Sequence, residues 1–258
     1  MEQLPNDLNN IIKDYIIFKP KTKQELQEAV DLWCKNKKEA LNKYDHISNW
    51  DTSLITDMSN LFNQKRYFKD NINNWDVSSV TDMSYMFSET LYFNQPLDSW
   101  DVSSVTNMKS MFEKTWAFNQ PLDSWDVSSL TNMNSMFRGT HVFNQSLASW
   151  NVSSVNNMIY VFNGALSFNQ PLNNWNVSSV RYMQYMFFEA IKFNQPLDSW
   201  DVSSVTIMEC MFYKAELFNQ SINSWDISSV TNMKWMLYGA KSFDKRNALW
   251  YDFQIKLD

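Results

Sequence analysis

Two histidines, His46 and His141, and two cysteines, Cys34 and Cys210, are the softest ligands and strongest nucleophiles in this chain. Neither histidine stands at a spacing that pairs it with a nucleophile or with further metal ligands, so no catalytic dyad and no zinc set is written here. The distant cysteines read as two reduced, buried thiols, which favours a reducing compartment. Only three glycines occur, Gly139, Gly164 and Gly239. They are 25 residues apart or a multiple of it, which suits the ends of short helices and excludes a phosphate-cradling loop. The one arrangement with ligand chemistry is a column of carboxylates. Asp76, Asp101, Asp126, Asp201 and Asp226 recur at one phase with Asn151 and Asn176. Stacked about 5 Å apart they would offer hard oxygens to Ca²⁺. Each unit supplies only one such Asp, however, and no glycine-bearing loop, so polar residues bonding the neighbouring unit are the favoured reading. The sequence therefore describes no enzyme, no cofactor site and no dedicated metal site.

The elements that would position these residues follow from the repeat. From Asp51 the chain falls into eight blocks of 25 residues without insertion, each closed by a tryptophan from Trp75 to Trp250. Apart from Met1, every methionine falls at the phase of Met83 or of Met86. Columns of this kind are packing columns, because units of a repeat array bury their apolar faces against neighbours. Within one block, Trp100 and Val102 are two apart, a strand period; Val105, Met108, Met111 and Phe112 are three and four apart, a helix period. The expected coil is one short parallel strand plus one short helix. Ser103, Ser104 and Thr106 then cap the helix, and Pro121 holds Gln120 extended on the return. Stacked rings would make a tryptophan column, and Asn94, Asn119, Asn144, Asn169, Asn194 and Asn219 an amide ladder.

The spacing Leu-x-x-Trp-x-Val has the layout of a leucine-rich repeat, although Val80, Val105, Leu130 and Val155 stand where that consensus has asparagine. The full unit, W-[DN]-V-S-S-V-T-x-M-x-x-M-F with a following F-N-Q-P-L, resembles the BspA-like surface-protein repeat, also called the mycoplasma lipoprotein-associated repeat, over residues 44 to 250. The family is known from bacterial surface proteins, large DNA viruses and protists. The resemblance implies an α/β fold: a right-handed leucine-rich-repeat-like solenoid of eight coils with a helical N-terminal cap. It implies a binding module with no assigned chemistry. Residues 1 to 47 form the expected cap, 48 to 250 the repeats, and 251 to 258 a C-terminal cap or edge strand. In the cap, Leu26, Ala29, Val30, Trp33, Ala40 and Leu41 fall at helical spacing behind a Thr22/Glu25 capping box. Leu4-Pro5-Asn6-Asp7-Leu8 followed by Ile11, Ile12 and Ile16 resembles the first helix of an F-box, over residues 4 to 16 alone. That resemblance implies a substrate receptor for a ubiquitin ligase.

Charge narrows the partners. The net charge is −6, and because residues 1 to 50 hold eight lysines and eight acidic residues the whole excess lies on the repeats. A phosphate backbone selects clustered cations, so nucleic acid is excluded. No stretch is apolar enough for a membrane span and no secretory signal is evident, which points to the cytoplasm, or to host cytoplasm or virion for a viral member. Packing does not dictate the residues that vary between coils: Tyr85, Leu91, Trp116, His141, Tyr160, Leu166, Tyr185, Ile191, Tyr213 and Trp235. Large rigid rings on a varying surface suit a protein partner, and the constant polar strand face suits a glycan or nothing. Leu249, Tyr251, Phe253 and Ile255 alternate, so the chain is either a monomer or an end-to-end dimer through that edge.

Overall fold

The computed structural model describes residues 17 to 251; the F-box-like stretch at 4 to 16 and the alternating residues past Tyr251 lie outside them. The repeats stack in register, so that each coil lies on the one 25 residues before it. Single parallel bridges join Asp57, Asp82, Asn107, Asn132, Asn157, Tyr182, Ile207 and Asn232 in sequence order.

The expected α/β class, a leucine-rich-repeat-like solenoid of strand-plus-helix coils, is not what the chain forms. Among the described residues there is no strand longer than one bridging residue, and no helix between the 3-10 turns at Ile47–Asn49 and Lys245–Asn247. Where a helix was expected, right-handed and left-handed backbone alternate: Ser110 has φ +53° and Lys114 φ +55°, and every coil repeats this at both phases. Alternation turns peptide units along the stacking axis. The N–H groups of Met108, Ser110, Phe112 and Lys114 donate to the carbonyls of Asn132, Asn134, Met136 and Arg138 in the next coil, at 2.6–3.0 Å. The intervening N–H groups of Met111, Glu113 and Thr115 close back three residues, onto Met108, Ser110 and Phe112. A helix would spend every N–H inside its own turn and leave none for the neighbour. The alternating backbone places Met108, Met111 and Phe112 inward much as a helix would, which is why the spacing misleads.

This geometry also corrects the reading of the glycines. They do not end helices; they occupy the second left-handed phase, with Gly164 at φ +65° where other coils carry Gln64, Glu89 or Lys214. A Cβ on Gly164 would find room, 3.7 Å from Gly139 Cα. Gly164→Ala is therefore expected to cost only the left-handed strain, roughly 1 kcal/mol, in a urea melt.

The core is aromatic and columnar. Phe112 and Phe118 stack within a coil at 4.1 Å, and Phe112 stacks on Phe137 at 5.8 Å and 10° in the next. The tryptophan column is present as parallel offset rings, Trp100 on Trp125 at 6.4 Å and 3°. Each indole N–H also donates to a carbonyl of the preceding coil, Trp125 Nε1 to Leu97 O at 3.0 Å. The asparagine ladder is likewise present. Asn94 Oδ1 accepts the backbone N–H of Asn119 at 2.9 Å and the Gln120 side-chain amide at 3.0 Å, so one side chain joins two coils.

The carboxylate column behaves differently from the reading above. Asp101 Oδ1 accepts from Ser103 N–H at 3.0 Å and Ser103 Oγ–H at 2.6 Å, and Asp76 and Asp201 repeat the bonds within their own coils. The column fixes a turn, one per coil, rather than bonding the next coil. The Ser103 hydroxyl, followed by its backbone N–H, lowers the Asp101 pKa. Ser103 thus serves its own aspartate, and Thr106 Oγ donates back to Thr81 O at 3.3 Å, so neither caps a helix.

The N-terminal cap is two helices, α1 (Lys23–Lys35) and α2 (Lys37–Tyr44), where the sequence suggested one. Asn36 breaks them. Its backbone N–H ends α1 on Leu32 O at 2.7 Å and its side chain accepts from Glu39 N–H to begin α2. Thr22 caps α1 as expected, through Glu25 N–H at 3.1 Å, but Glu25 reaches Lys21 N–H instead of completing the box on Thr22. Leu26, Ala29, Val30, Trp33 and Ala40 are buried, whereas Leu41 is exposed. Cap lysines pair with acids of the first coil: Lys19 with Asp51 at 2.7 Å, Lys23 with Asp57 at 3.0 Å and Lys37 with Asp70 at 2.6 Å. The neutral cap is thus matched to the acidic repeats. The Lys19 ammonium, followed by the Ser53 hydroxyl, lowers the Asp51 carboxyl to about 2. A carboxyl held below its unfolded value, about 3.9, stabilises fully above that pH and loses the contribution as pH falls through the folded value. Urea melts should accordingly weaken between about pH 4 and 2, and Lys19→Ala should raise the Asp51 pKa followed by NMR. No helix among the described residues is long and apolar enough to cross a membrane.

Candidate binding groove

One left-handed phase and the position just before the other carry the varying side chains that assemble a candidate site. Residues at the left-handed phase of Tyr185 form one column, with Tyr160, the buried Cys210 and Trp235; residues three later form a second, with Phe188, Tyr213 and Tyr238. In each column the rings stack along the axis. Tyr160 and Tyr185 lie 4.7 Å apart at 17°, Phe188 and Tyr213 4.7 Å apart at 4°, and Tyr213 and Tyr238 5.3 Å apart at 19°. Tyr185 and Phe188 meet across the columns at 5.9 Å and 49°. Between the columns over the last three coils lies a concavity of about 510 Å³, lined by Tyr185, Phe188, Cys210, Tyr213, Trp235 and Tyr238.

Polar groups fix the rings. Tyr185 Oη donates to Glu209 Oε1 at 3.0 Å, and Glu209 accepts again from Asn232 Nδ2 at 3.0 Å. Burial, followed by this carboxylate, raises the Tyr185 pKa. Burial likewise pushes the Cys210 thiol up to about 11, so it is a neutral, weakly reactive part of the floor. Lys214 Nζ lies 5.3 Å from the Tyr213 ring, Lys234 Nζ 4.6 Å from the Trp235 ring, and the Arg138 guanidinium 5.1 Å from Tyr160. Because the rings stack face to face, the groove meets its ligand mostly with ring edges and phenol hydroxyls. Those edges carry the positive part of the aromatic quadrupole.

The sequence-derived residues therefore separate into groups. Tyr185, Tyr213 and Trp235 line this concavity, and Tyr160 stacks on Tyr185 one coil before it. Trp116, 44% exposed, stacks on His141 at 5.5 Å and 12°, near the middle of the stack. Leu91, Leu166 and Ile191 share that column, with Leu166 exposed and Leu91 and Ile191 half-buried. Tyr85, half-buried, belongs to the first column but stands apart, under Lys109 at 5.5 Å. Phe188 and Tyr238 complete the groove and were not among the candidates, although their column was visible in the sequence as a varying position. Tyr67 and Tyr92, both exposed, stack at 5.8 Å away from this concavity.

The family comparison agrees with the repeat. The family described as "Mycoplasma protein of unknown function, DUF285" matches residues 31–150 and 133–250. The chain belongs to that family. The match spans all eight coils and the end of the cap. No curated protein and no solved structure matches the chain. In this member of the family the packed columns hold nearly constant residues, whereas the groove columns change from coil to coil: Ser110 and Ser135 stand where Tyr160 and Tyr185 follow.

Proposed function

We propose that this chain is a non-enzymatic scaffold that binds a protein through the ring-edged groove of its last three coils. The observation that carries the reading is the pairing of two aromatic ladders around one concavity. The ladders use positions that the core does not need, and the core positions of the same coils scarcely vary. Rigid rings with hydroxyl or cationic neighbours concentrate binding energy at protein interfaces. A sugar would need exposed ring faces, and here most faces are covered by the neighbouring ring.

The test is capture of partners from the native cell by wild-type protein and by the double variant Tyr213→Ala/Trp235→Ala, with identity by mass spectrometry. Loss of the captured partner by about tenfold or more is expected, since truncating one or two central anchors removes at least 1.4 kcal/mol. A folded double variant that captures the same partner equally well would overturn the reading. If the partner were a cullin-ligase adaptor retained by the variant, the F-box-like N-terminus would be the active element instead. A glycan captured in place of protein would make the chain an adhesin.

A further inference from the structure

The tyrosine pair of the first two coils ends against a cavity, and its end ring has an uncovered face. Tyr67 stacks on Tyr92 at 5.8 Å and 13°, and Tyr67 is 80% exposed. No ring covers its other face among the described residues, because the end of α1 and the start of α2 stand where a preceding coil would lie. Between them and Tyr67 is a cavity of about 520 Å³ with the buried Trp33 and Phe68 in its lining. Small-molecule sites span roughly 300–1,000 Å³. The backbone breaks at the same place. In four later coils the N–H at the Tyr67 phase donates to the coil before it: Tyr92 to Arg66 O at 3.4 Å, Ala117 to Leu91 O at 3.1 Å, Leu217 to Ile191 O at 3.2 Å and Ser242 to Glu216 O at 3.0 Å. Tyr67 has no such carbonyl before it, and its N–H finds no acceptor among the described residues. The direction of the file aims that donor at the cap side, where the cavity lies.

Positive charge gathers there too. Lys35, Lys37, Lys65 and Arg66 line the cavity against Asp70 alone, in a chain whose net charge is −6. Two of the four are already paired. Lys37 bonds one Asp70 oxygen at 2.6 Å while Trp33 Nε1 bonds the other at 2.9 Å, and Lys65 pairs with Asp31. Lys35 and Arg66, both exposed, make no ion pair among the described residues. The Lys114 ammonium, and more weakly the Arg66 guanidinium, lower the Glu89 pKa, but it is Lys114 that bonds this carboxylate, at 2.7 Å. The described chain enters at the opposite end of α1, where Lys19 meets Asp51.

We infer that this cavity binds a small planar aromatic phosphate, whose ring takes the next rung on Tyr67 and whose phosphate lies between Arg66 and Lys35. Guanidinium and ammonium groups hold phosphate oxygens through charge-assisted hydrogen bonds. Two unpaired cations match a phosphate monoester, which carries about −1.5 to −2 at pH 7. A neutral ring would leave both cations unanswered, and a bare phosphate would leave the Tyr67 face uncovered. The site is independent of the groove, which lies on the last three coils and draws on none of these residues.

The test is an NMR titration of the ¹⁵N-labelled full chain with phenyl phosphate, with phenol and with inorganic phosphate. Phenyl phosphate should shift the amides of Tyr67, Arg66 and Lys35 and saturate. Phenol and inorganic phosphate should each bind at least about tenfold more weakly, the scale of losing the charge-assisted bonds or the stacked ring. Tyr67→Leu and Arg66→Gln should each weaken phenyl phosphate by about tenfold for the same two reasons. Both side chains are exposed, so the urea melts of the two variants should match the wild type. Four results would overturn the inference. They are inorganic phosphate binding as tightly as phenyl phosphate, wild-type affinity in either variant, shifts confined to the groove of Tyr213 and Trp235, or no saturable shift at all.

Discussion

Phe137→Ala should lower the free energy of unfolding by about 3–5 kcal/mol, read from urea melts followed by tryptophan fluorescence. Phe137 is fully buried and lies at the crossing of two stacks. Its ring stacks on Phe112 at 5.8 Å, on Phe143 at 4.4 Å and on Phe162 at 5.7 Å, and meets Trp150 at 6.1 Å. Truncation leaves a void that the coils on either side cannot close, because each is held in register by its own axial bonds. Units of a stacked repeat stabilise one another only through nearest neighbours. A mid-stack cavity should therefore uncouple the two halves as well as weaken them, and the melt should broaden or split. A loss below about 1 kcal/mol would mean that the phenylalanine column does not carry the stack.

Trp150→Ala should cost a similar amount, about 3–5 kcal/mol, and Trp150→Phe separates its two causes. The indole stacks on Trp125 at 6.4 Å and Trp175 at 6.5 Å, and its N–H donates to Leu122 O at 3.0 Å. Phenylalanine keeps most of the stacking but leaves that buried carbonyl without its donor, which costs about 1–3 kcal/mol. The difference between the two variants measures the ring's packing alone. Equal losses would show that the hydrogen bond, not the stack, explains why tryptophan closes each coil.

The period, the packed columns, the tryptophan stack and the asparagine ladder were legible in the sequence, because each rests on identical residues meeting their copies one coil away. The backbone between them was not. Inward positions at Val105, Met108, Met111 and Phe112 fit a helix and fit the alternating turn equally, since both return a side chain to the core every three or four residues. The distinguishing signal lay elsewhere. Gly139, Gly164 and Gly239 share a phase four residues after one that holds Asn60, and both residue types tolerate a positive φ. The aspartates carried a similar clue, because an Asp two residues before a Ser can fold back on its own turn as readily as it can reach a neighbour. The groove was half legible. Its columns showed as varying aromatic positions, but which columns face each other depends on the left-handed residues. Phe188 and Tyr238 were missed for that reason.

Both the groove and the bonding between coils rest on one feature of the backbone, so its direct measurement tests the account most sharply. Residue-specific φ angles from NMR shifts and N–H to Hα couplings over residues 108 to 115 and their copies will provide it. Positive φ at Ser110, Lys114, Tyr160, Tyr185, Cys210 and Lys214, flanked by negative φ, is the result expected from the structure. An unbroken run of negative, helical φ through those residues would contradict it, and with it the proposed groove.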